Sequence, residues 1–369
     1  MGDQPMRAAV LHRAPGAVET CEVGIGLPAD HEVLVRTVAC GLCHTDLHVM
    51  TGDMPVAGGP VVLGHEAAGV VEAVGSAVTD LRPGDHVVAC LSAFCGQCRE
   101  CGAGRTFLCE RRRALRRSAS MAPRLELDGV PVEQFTGIGG FAEMMLLHRN
   151  AVVAVSKDIP LDKAALLGCA VLTGVGSVVR AAQVEVGSTV AVIGLGGIGA
   201  SIVQGARIAG ASRIIAIDLH AAPLELARRL GATDTVDASA TDPVEMVRQL
   251  TGGGVDHAFE AVGLSSTIGQ AISMLRPGRT ASMVGVPPVS AAVPIPAGEM
   301  VLTGRSLRGV LMGSNHFPTD IPMLVDLYLS GRLELDALIG RRIGLDGIND
   351  AYAEMSRGGV ARPVLNIDN

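Results

Sequence analysis

The chain has no tryptophan, and aromatic residues make up only 2% of its 369 residues. Its cores must therefore be built from aliphatic side chains and methionine, which the 48% hydrophobic content supplies. Basic residues are outnumbered by acidic ones, and the formal net charge is -7. Such a chain lacks the basic surface that attracts nucleic acids and anionic membranes, so we expect neither as a partner.

Long hydrophobic runs are missing as well. The uncharged stretch 186–206 is interrupted by glycines and polar residues, which predicts a strand, a turn and a helix rather than a membrane span. The first residues, MGDQPMRAAV, contain no hydrophobic region of the signal-peptide kind. The nine cysteines are an odd set, and their spacing suits metal binding better than a disulfide framework. We therefore expect a reducing, cytoplasmic location.

Four cysteines stand close together in the run CGQCRECGAGRTFLC: Cys95, Cys98, Cys101 and Cys109. This spacing lets one short loop surround a single tetrahedral zinc ion with four thiolates. Such a site has no open coordination position, so it stabilises a fold and does no chemistry. The sequence therefore predicts a structural zinc in this loop.

A second set of metal-type ligands is dispersed along the chain. Cys43 lies in GLCHTD, His65 in GHEAAG and Cys169 in LLGCAVLTG. Three protein ligands leave a fourth position for water or substrate, which is typical of a catalytic zinc. Spacing alone does not single them out, because a buried cysteine also serves as ordinary core packing. Glu66, beside His65, is a candidate carboxylate partner of a ligand or a transient ligand.

The run GLGGIG contains a dinucleotide-binding pattern. Gly194, Gly196 and Gly199 form G-x-G-x-x-G, with Gly197 between them, directly after the strand-like TVAVI and before a helical pattern. Glycines in this place let the backbone approach a pyrophosphate at the helix N-terminus. Asp218 ends the next strand, where a carboxylate accepts both ribose hydroxyls of NAD and repels a 2′-phosphate. No arginine follows it, so NAD is predicted over NADP, the alternative being a plain strand-end cap.

The pattern of elements changes along the chain. From residue 6 to about 155, short β-type runs are broken by Gly and Pro, which predicts a β-rich, barrel-like unit. From about residue 172, strands alternate with helices, which is typical of a doubly wound parallel sheet. After about residue 311 the chain returns to the first unit. The predicted domains are residues 1–171 with 312–369, and residues 172–311. Residues 115–140 are predicted as a loop or short hairpin bordering the active-site entrance.

Five motifs in this order carry a resemblance to a known family: GLCHTDLHVMTGD, GHEAAGVVEAVG, the CxxCxxC run, LGCAVLTGVG and GLGGIG. Together they resemble the zinc-dependent alcohol dehydrogenases of the medium-chain dehydrogenase/reductase superfamily, over nearly the whole chain. The resemblance implies an α/β fold with a GroES-like catalytic domain and a Rossmann nucleotide domain. It also implies two zinc ions per subunit, one catalytic and one structural, and NAD.

The resemblance also implies roles for residues around the first motif. Thr45 and His48 would form a proton relay, while His44 and Arg362 would contact the cofactor pyrophosphate. Asp46 would orient a zinc ligand by hydrogen bonding. Without the resemblance, Thr45 would be as typical of a turn as of a relay. His44, His48 and Arg362 would be as typical of a solvated surface as of a functional site.

The implied reaction interconverts alcohols and aldehydes. An alcohol on the open zinc would lose its proton, and the zinc-bound alkoxide would transfer a hydride to the nicotinamide. Leu91, Phe141 and Met144 are candidates for an apolar pocket lining. We expect primary alcohols of medium chain length or aromatic character as substrates.

Two other reactions are open. Arg113 follows Cys109 where the glutathione-dependent formaldehyde dehydrogenases of the family carry an anion-binding arginine, so a thiol-dependent formaldehyde (S-hydroxymethyl-thiol) dehydrogenase is one alternative. The five arginines at residues 111–117 are as typical of a solvated loop as of an anion-binding site. MTGDMPVAG and GINDAYAEM also resemble nicotinoprotein alcohol dehydrogenases, which keep NAD(H) bound and use an external acceptor.

Subunit pairing is implied by the resemblance alone. The family pairs subunits through an edge strand of the nucleotide domain, which here is the segment SLRGVLM at residues 306–312. We therefore expect a homodimer or a homotetramer, with a small alcohol or aldehyde as the other partner.

Overall fold

The structure, a computed structural model, describes residues 4–56, 58–118, 120–288, 290–356 and 362–367. The chain divides into two compact units. Unit 1 comprises Met1–Cys169 and His316–Asn369, and unit 2 comprises Ala170–Asn315. The sequence-predicted domain limits lie within a few residues of these, and as limits of functional domains they stay predictions.

Eighteen strands are found in the described residues. The first ten belong to unit 1: β1 Gln4–Leu11, β2 Glu19–Ile25, β3 Glu32–Gly41, β4 Val61–Val62, β5 Glu66–Val74, β6 His86–Ala89, β7 Leu125–Leu127, β8 Val130–Gln134, β9 Met144–His148 and β10 Val152–Ala154. The next six belong to unit 2: β11 Thr189–Ile193, β12 Arg213–Asp218, β13 Asp234–Asp237, β14 Val255–Glu260, β15 Leu275–Met283 and β16 Ser306–Gly309. The last two return to unit 1: β17 Ile339–Ile343 and β18 Arg362–Asn366.

Eleven α-helices accompany these strands in the described part of the chain. They are α1 His44–Thr51, α2 Arg99–Gly102, α3 Leu161–Ala164, α4 Ala170–Gly176, α5 Gly197–Ile208, α6 Ala221–Leu230, α7 Pro243–Thr251, α8 Ser265–Ser273, α9 Ala297–Thr303, α10 Phe317–Leu329 and α11 Ile348–Met355. The run GINDAYAEMSRG, residues 347–358, has a sequence that predicts a helix; α11 covers most of it, and residues 357 and 358 lie outside the described residues.

Unit 1 contains a closed barrel with the strand order β1-β2-β7-β8-β4, and a larger sheet with the order β10-β6-β5-β3-β18-β17. Strand β3 is central to the larger sheet and pairs with β5, β9 and β18. Its sequence, EVLVRTVACG, is rich in β-branched residues, and nearly every position is buried, because both faces are covered. The predicted β-rich unit is thereby confirmed.

The hairpin of β7 and β8 lies in the segment predicted as a loop or hairpin. Asp128 and Gly129 form its two-residue turn, both with positive φ, at 51° and 78°. Asp-Gly favours this turn because its twist matches that of the flanking strands. The hairpin is thus confirmed, and it completes the barrel between β2 and β4.

Unit 2 is a six-stranded parallel sheet with the order β13-β12-β11-β14-β15-β16. All five strand pairs are parallel, which confirms the predicted doubly wound sheet. One element differs from what its sequence indicates: the run SSTIGQAISMLRPG, residues 265–278, predicts one helix, but α8 ends at Ser273 and β15 begins at Leu275. Pro277 and Gly278 follow immediately, and neither is compatible with a continuing helix.

Helix α4 is apolar and buried, and it continues as a π-helical turn over Ser177–Ala182. Among the described residues, no single helix has the length and apolarity needed to cross a membrane. Only the bent pair Leu161–Gly168 and Ala170–Ala182 reaches that threshold when its two parts are counted together.

Candidate active site

The dispersed ligands come together in a buried cluster in unit 1. Ligand atoms of Cys43, His65, Glu66 and Cys169 all lie within 4.8 Å of one another. Cys43 precedes α1, Glu66 begins β5 directly after His65, and Cys169 follows a 3₁₀ turn. Long-range strand pairing therefore assembles the cluster, since β5 is placed against β3, which leads into Cys43.

Asp46 holds His65 in place. The Nδ1 atom of His65 lies 3.1 Å from the Asp46 carboxylate, and both side chains are fully buried. The same carboxylate accepts the Gly64 N–H at 2.9 Å, which ties α1 to the segment before β5. A carboxylate on Nδ1 selects the tautomer with its proton there and leaves the Nε2 lone pair free for a metal.

Glu66 is paired with Arg362 from β18, and the ion pair is buried. Arg362 binds the Oε1 atom of Glu66 and leaves Oε2 without a hydrogen-bond partner. The Cβ that a larger residue would place at Gly41 would lie 2.5 Å from this Oε2 atom. Glycine at position 41 therefore makes room for the carboxylate beside the cluster.

Charge interactions in the cluster shift the pKa values of its members. A hydrogen bond from Cys169 lowers the pKa of the Cys43 thiol well below its usual range, and His65 lowers it further. Burial alone would lower the pKa of His65, but the Asp46 carboxylate and Cys43 raise it well above the usual value. Burial raises the pKa of Glu66, while Arg362 opposes that rise. The cluster thus favours a thiolate at Cys43.

A zinc ion fits these residues. Two thiols and an imidazole are typical ligands of a catalytic zinc, and tetrahedral bonds of about 2.0–2.3 Å place ligand atoms roughly 3.4–3.8 Å apart. The buried Nε2 atom of His65 has no hydrogen-bond partner among the described residues, which an interior imidazole otherwise obtains. A bound cation would supply that partner.

The four cysteines of the run CGQCRECGAGRTFLC form a separate cluster around α2. The sulfur of Cys98 lies 3.4 Å from that of Cys101 and 4.0 Å from that of Cys109, and Cys95 lies 3.9 Å from Cys101. These spacings match the roughly 3.8 Å between sulfurs on one tetrahedral zinc. The Cys101 N–H hydrogen bond lowers the pKa of the Cys98 thiol to about 6. The loop is therefore suited to a closed zinc site.

The glycine-rich turn lies in unit 2, between β11 and α5. Gly194 has φ of 84°, and a Cβ on Gly199 would lie 1.8 Å from the Gly194 carbonyl oxygen. Helix and turn can approach this closely only with glycine at both positions. Gly196 caps α5, and a Cβ there would meet nothing within 4 Å. The first N–H groups of a helix have no acceptor within the helix, which suits this turn to an anion.

Asp218 stands at the end of β12, beside this turn. Its Oδ2 atom accepts the Leu195 N–H at 2.8 Å, and Oδ1 accepts the His220 N–H at 3.1 Å. The carboxylate therefore does act as a strand-end anchor, the alternative weighed above. Each oxygen keeps a second lone pair, so the anchor role leaves capacity for ribose hydroxyls.

Comparison with known proteins places this architecture in a family. A profile described as the alcohol dehydrogenase GroES-like domain matches residues 29–157, and one described as zinc-binding dehydrogenase matches residues 197–328. Alcohol dehydrogenase class-3 of Zea mays is 37% identical over 366 residues, which cover 97% of this chain and 96% of that protein. The chain belongs to the zinc-dependent alcohol dehydrogenase family.

Two further members of the family are informative. The S-(hydroxymethyl)glutathione dehydrogenase of Photobacterium damsela subsp. piscicida is 37% identical over 366 residues, covering 98% of this chain and 99% of that protein. The crystal structure of benzyl alcohol dehydrogenase from Acinetobacter calcoaceticus superposes with a TM-score of 0.93 at 34% identity, covering 99% of each chain. Family membership supports zinc and a nicotinamide cofactor for this chain.

The residues that the family resemblance assigns to a relay lie on α1. The Thr45 hydroxyl is 3.6 Å from the Cys43 sulfur, at the edge of the buried cluster. His48 is half-exposed, and its Nδ1 atom lies 3.7 Å from Asp53. His44 is exposed at the start of the same helix. The structure thus places Thr45 at the cluster and His48 at the surface, while their roles, and those of His44 and Arg362 toward a cofactor, stay predictions.

One expected pocket residue lies elsewhere. Phe141 is fully buried in the core of unit 1, with its ring 6.4 Å from that of Tyr352. A Cβ at Gly64 would touch the Phe141 ring at 2.5 Å, so this ring packs against the backbone just before His65. The expectation that Phe141 lines an open pocket is wrong. Leu91 and Met144 are only partly buried, and their pocket role stays a prediction.

The arginine-rich segment after Cys109 is partly anchored: Arg112 and Arg117 are held by the fold, whereas the arginines at 111, 113 and 116 are exposed, as in the solvated loop considered above. Arg112 donates to the carbonyls of Ala93 and Phe107, at 3.0 and 2.9 Å. Arg117 binds the buried carboxylate of Glu32, at 2.6 Å, and Arg124 binds it at 2.7 Å. Glu32 opens β3, far from these arginines in sequence, and no local pattern signals the pairing.

Proposed function

We propose that the chain is an NAD-dependent zinc alcohol dehydrogenase that interconverts primary alcohols and aldehydes. The observation that carries this proposal is the convergence of Cys43, His65 and Cys169 on one buried point beside Glu66. Three ligands of this kind leave one coordination position for an oxygen of the substrate. We further propose a second, structural zinc held by the four cysteines of α2 and its flanking loop.

Zinc at the buried cluster would supply Lewis acidity, which lowers the pKa of a coordinated hydroxyl by several units. The residues of the chain prepare that position. Asp46 fixes the His65 ring and its tautomer, and Arg362 holds Glu66 so that one carboxylate oxygen stays beside the cluster. Burial of all four ligand residues excludes water, which strengthens each charge interaction.

We propose that Thr45 receives the proton of the substrate hydroxyl. A threonine hydroxyl can accept and donate a hydrogen bond at once, and Thr45 stands 3.6 Å from Cys43. His48 lies one helical turn farther along α1 at the surface, where an imidazole can exchange protons with solvent. A Thr45→Val variant should lose turnover while retaining zinc, whereas Thr51→Val, on the same helix, should keep both.

The choice of NAD over NADP is proposed from Asp218. Its carboxylate stands at the end of β12, and the next residues, Leu219 and His220, offer no guanidinium for a 2′-phosphate. Wild-type protein should therefore use NAD far better than NADP. Asp218→Asn should lower that preference by about 10-fold or more, as measured by kcat/KM for each cofactor. A wild-type preference for NADP would contradict the role given to Asp218.

The direct test of the proposed function is NADH formation across an alcohol panel. Ethanol, hexanol, octanol, benzyl alcohol and cinnamyl alcohol cover chain length and aromatic character. Turnover on free alcohols would support the general dehydrogenase and rank the substrates. The structural likeness to a benzyl alcohol dehydrogenase favours an aromatic alcohol as the best of them.

A thiol-dependent formaldehyde dehydrogenase is the second candidate, because the chain is 37% identical to an S-(hydroxymethyl)glutathione dehydrogenase. Arg113 is exposed after the four-cysteine loop and is available for a carboxylate of such an adduct. The panel therefore includes formaldehyde with and without glutathione. Arg113→Ala should raise KM for the adduct if this activity is real, while Arg111→Ala, an equally exposed arginine nearby, serves as the matched control.

Two results would redirect the proposal. Turnover only with formaldehyde and thiol would favour a thiol-dependent formaldehyde dehydrogenase over a dehydrogenase of free alcohols. No turnover with NAD by protein that holds zinc and NAD(H) would favour the nicotinoprotein alternative, which an external electron acceptor then tests.

We propose a homodimer formed through β16. This strand lies at one edge of the unit 2 sheet, so its outer backbone groups are available for pairing. Leu311, two residues beyond the strand, is 50% exposed and is therefore available for such a contact. Sedimentation equilibrium should give twice the chain mass, and Gly309→Pro, which removes an N–H on the side of β16 away from β15, should shift it toward monomer.

A further inference from the structure

A third group of metal-type ligands lies on the barrel of unit 1. His12 follows β1, while Glu19 and Cys21 lie on β2, and ligand atoms of all three fall within 4.8 Å of one another. The Nε2 atom of His12 is 3.7 Å from the Cys21 sulfur and 3.6 Å from a Glu19 oxygen. Neither proposed zinc site uses any of these residues.

Strand register explains why the three side chains meet. In the antiparallel pair of β1 and β2, Val10 faces Glu19 and Ala8 faces Cys21. Directly opposed residues project to the same side of a sheet, and so do residues two apart in one strand. Glu19 and Cys21 therefore share a side, and His12, two residues after Val10, reaches the same side. The backbone thus positions all three donors without help from a ligand.

The distances suit a tetrahedral zinc-type cation. Bonds of about 2.0–2.1 Å to nitrogen and about 2.3 Å to sulfur place those two ligand atoms about 3.6 Å apart. A nitrogen and a carboxylate oxygen on the same ion lie about 3.4 Å apart by the same geometry. Both observed separations lie within a few tenths of an ångström of these values, so a small side-chain adjustment closes the site.

The donor types also select the cation. Thiol sulfur and imidazole nitrogen favour zinc and similar transition metals over magnesium and calcium, which prefer oxygen. The His12 and Glu19 side chains are 47% and 73% exposed, which gives an ion in solution direct access.

We infer that His12, Glu19 and Cys21 form a third, solvent-accessible site for a zinc-type divalent cation, separate from both zinc sites of the dehydrogenase. The ion would join the two ends of the loop over residues 12–19. That loop packs on other parts of unit 1: the Gly16 N–H donates to the Met50 carbonyl at the end of α1, and Val18 and Asn349 exchange two hydrogen bonds. A bound ion would therefore stabilise the loop against α1, the helix that also carries Thr45 and His48.

Cobalt(II) is a suitable probe, because its bond to a cysteine sulfur gives a near-ultraviolet charge-transfer band. Full-length protein with zinc in its other sites should bind one further equivalent of Co²⁺ with this band, while its zinc content stays unchanged. Cys21→Ser should abolish the band. His12→Gln and Glu19→Gln should each weaken Co²⁺ binding by more than the roughly 10–100-fold that loss of an outer hydrogen-bond partner costs.

Glu22→Gln is the matched control. Glu22 lies between Cys21 and Val23 on β2, projects to the opposite side and pairs in register with Arg7. This variant should bind Co²⁺ as the wild type does. Added Zn²⁺ should also raise the melting temperature of the wild type and the control, but not that of Cys21→Ser.

Three results would overturn the third site. They are absence of the band in wild-type protein at millimolar Co²⁺, persistence of the band in Cys21→Ser, and an equal loss of binding in Glu22→Gln. His12→Gln alters an exposed side chain and is expected to fold normally. Unchanged Co²⁺ binding in His12→Gln would therefore also overturn the third site, even if Cys21→Ser is unstable.

Discussion

The two zinc-type clusters of unit 1 differ in how the chain builds them. The four-cysteine cluster comes from a single loop of 15 residues, Cys95 to Cys109, and Cys95 and Cys101 are only partly buried. The second cluster draws on α1, β5 and the turn before Cys169, and all four of its residues are buried. A local loop can close around an ion by itself, whereas the dispersed cluster exists only once the sheets of unit 1 have formed.

We therefore expect the four-cysteine cluster to contribute to stability and the dispersed cluster to the reaction. In the local loop the proposed metal would replace a hydrophobic core, because α2 has four residues and none of them is buried. In the dispersed cluster the surrounding fold positions the ligands, so the proposed metal could keep an open position for substrate. We expect variants of the two clusters to fail in opposite ways.

The largest effect is expected in the local loop. Cys101→Ser should lose one zinc per chain and lower the free energy of unfolding by more than about 4 kcal/mol, since structural zinc contributes roughly 10–16 kcal/mol in small zinc domains. Denaturant unfolding and metal analysis measure both quantities. Cys90→Ser, a buried cysteine outside the clusters, is the control and should retain full zinc. Unchanged stability in Cys101→Ser would mean that the loop needs no metal.

The next effect concerns the dispersed cluster. Cys43→Ser should lower kcat/KM by about 10³-fold or more, equal to about 4 kcal/mol of transition-state stabilisation, because the open metal position is lost. The melting temperature should change by only a few degrees, since the fold forms the cluster and not the reverse. Cys40→Ser is the matched control, because this neighbouring thiol donates to the Gly41 carbonyl, as serine also can. Full activity in Cys43→Ser would refute the catalytic assignment.

A third variant tests whether ion pairs, as well as metal, hold the segment that follows the four-cysteine loop. Glu32→Gln should destabilise the protein by roughly 3 kcal/mol, because Arg117 and Arg124 would then face a neutral partner at a buried site. Urea unfolding at neutral pH measures the loss. Glu72→Gln, which removes a half-exposed ion pair with Arg36, should cost less than about 1 kcal/mol.

The effect of Glu32 also depends on pH in a defined direction. Burial alone would raise the pKa of Glu32, but the hydrogen bond from Arg117 and the charge of Arg124 lower it below its usual range. Its contribution is therefore fully present above the unfolded pKa, about 4.3, and is lost as the pH falls through the folded value. The stability gap between wild type and Glu32→Gln should thus narrow in acid. A constant gap would contradict the ion-pair explanation.

The smallest effect is expected for Asp46, which contacts the dispersed cluster through His65. Asp46→Asn should weaken zinc binding at Cys43, His65 and Cys169 by about 10–100-fold, because the amide no longer fixes the His65 ring in the same way. Competition with a chelator measures this affinity directly. Zinc at the four-cysteine loop should be unaffected, which provides an internal control. Equal weakening at both sites would indicate general destabilisation rather than a positioning role.

Much of the fold was predictable because its signals are short-range. The alternation of strands and helices after residue 172, the Asp-Gly hairpin turn and the glycine-rich turn before α5 each depend on neighbouring residues. Strand β13, with the sequence DTVD, was not predicted, because four residues with two charges carry no clear alternation. The helical pattern that begins at Ser265 ends at Ser273 and not at residue 278, because Pro277 and Gly278 disfavour a helix.

The sequence by itself determined the local cysteine loop, the glycine-rich turn and the set of residues that resemble a zinc dehydrogenase. Tertiary structure alone decided which distant groups touch: Arg362 with Glu66, Asp46 with both Gly64 and His65, and Glu32 with two arginines. The same holds for His12, Glu19 and Cys21, which meet through the register of β1 and β2. Local motifs follow from backbone geometry over a few residues, whereas these contacts depend on how strands far apart in sequence pair and on which side chains burial then brings together.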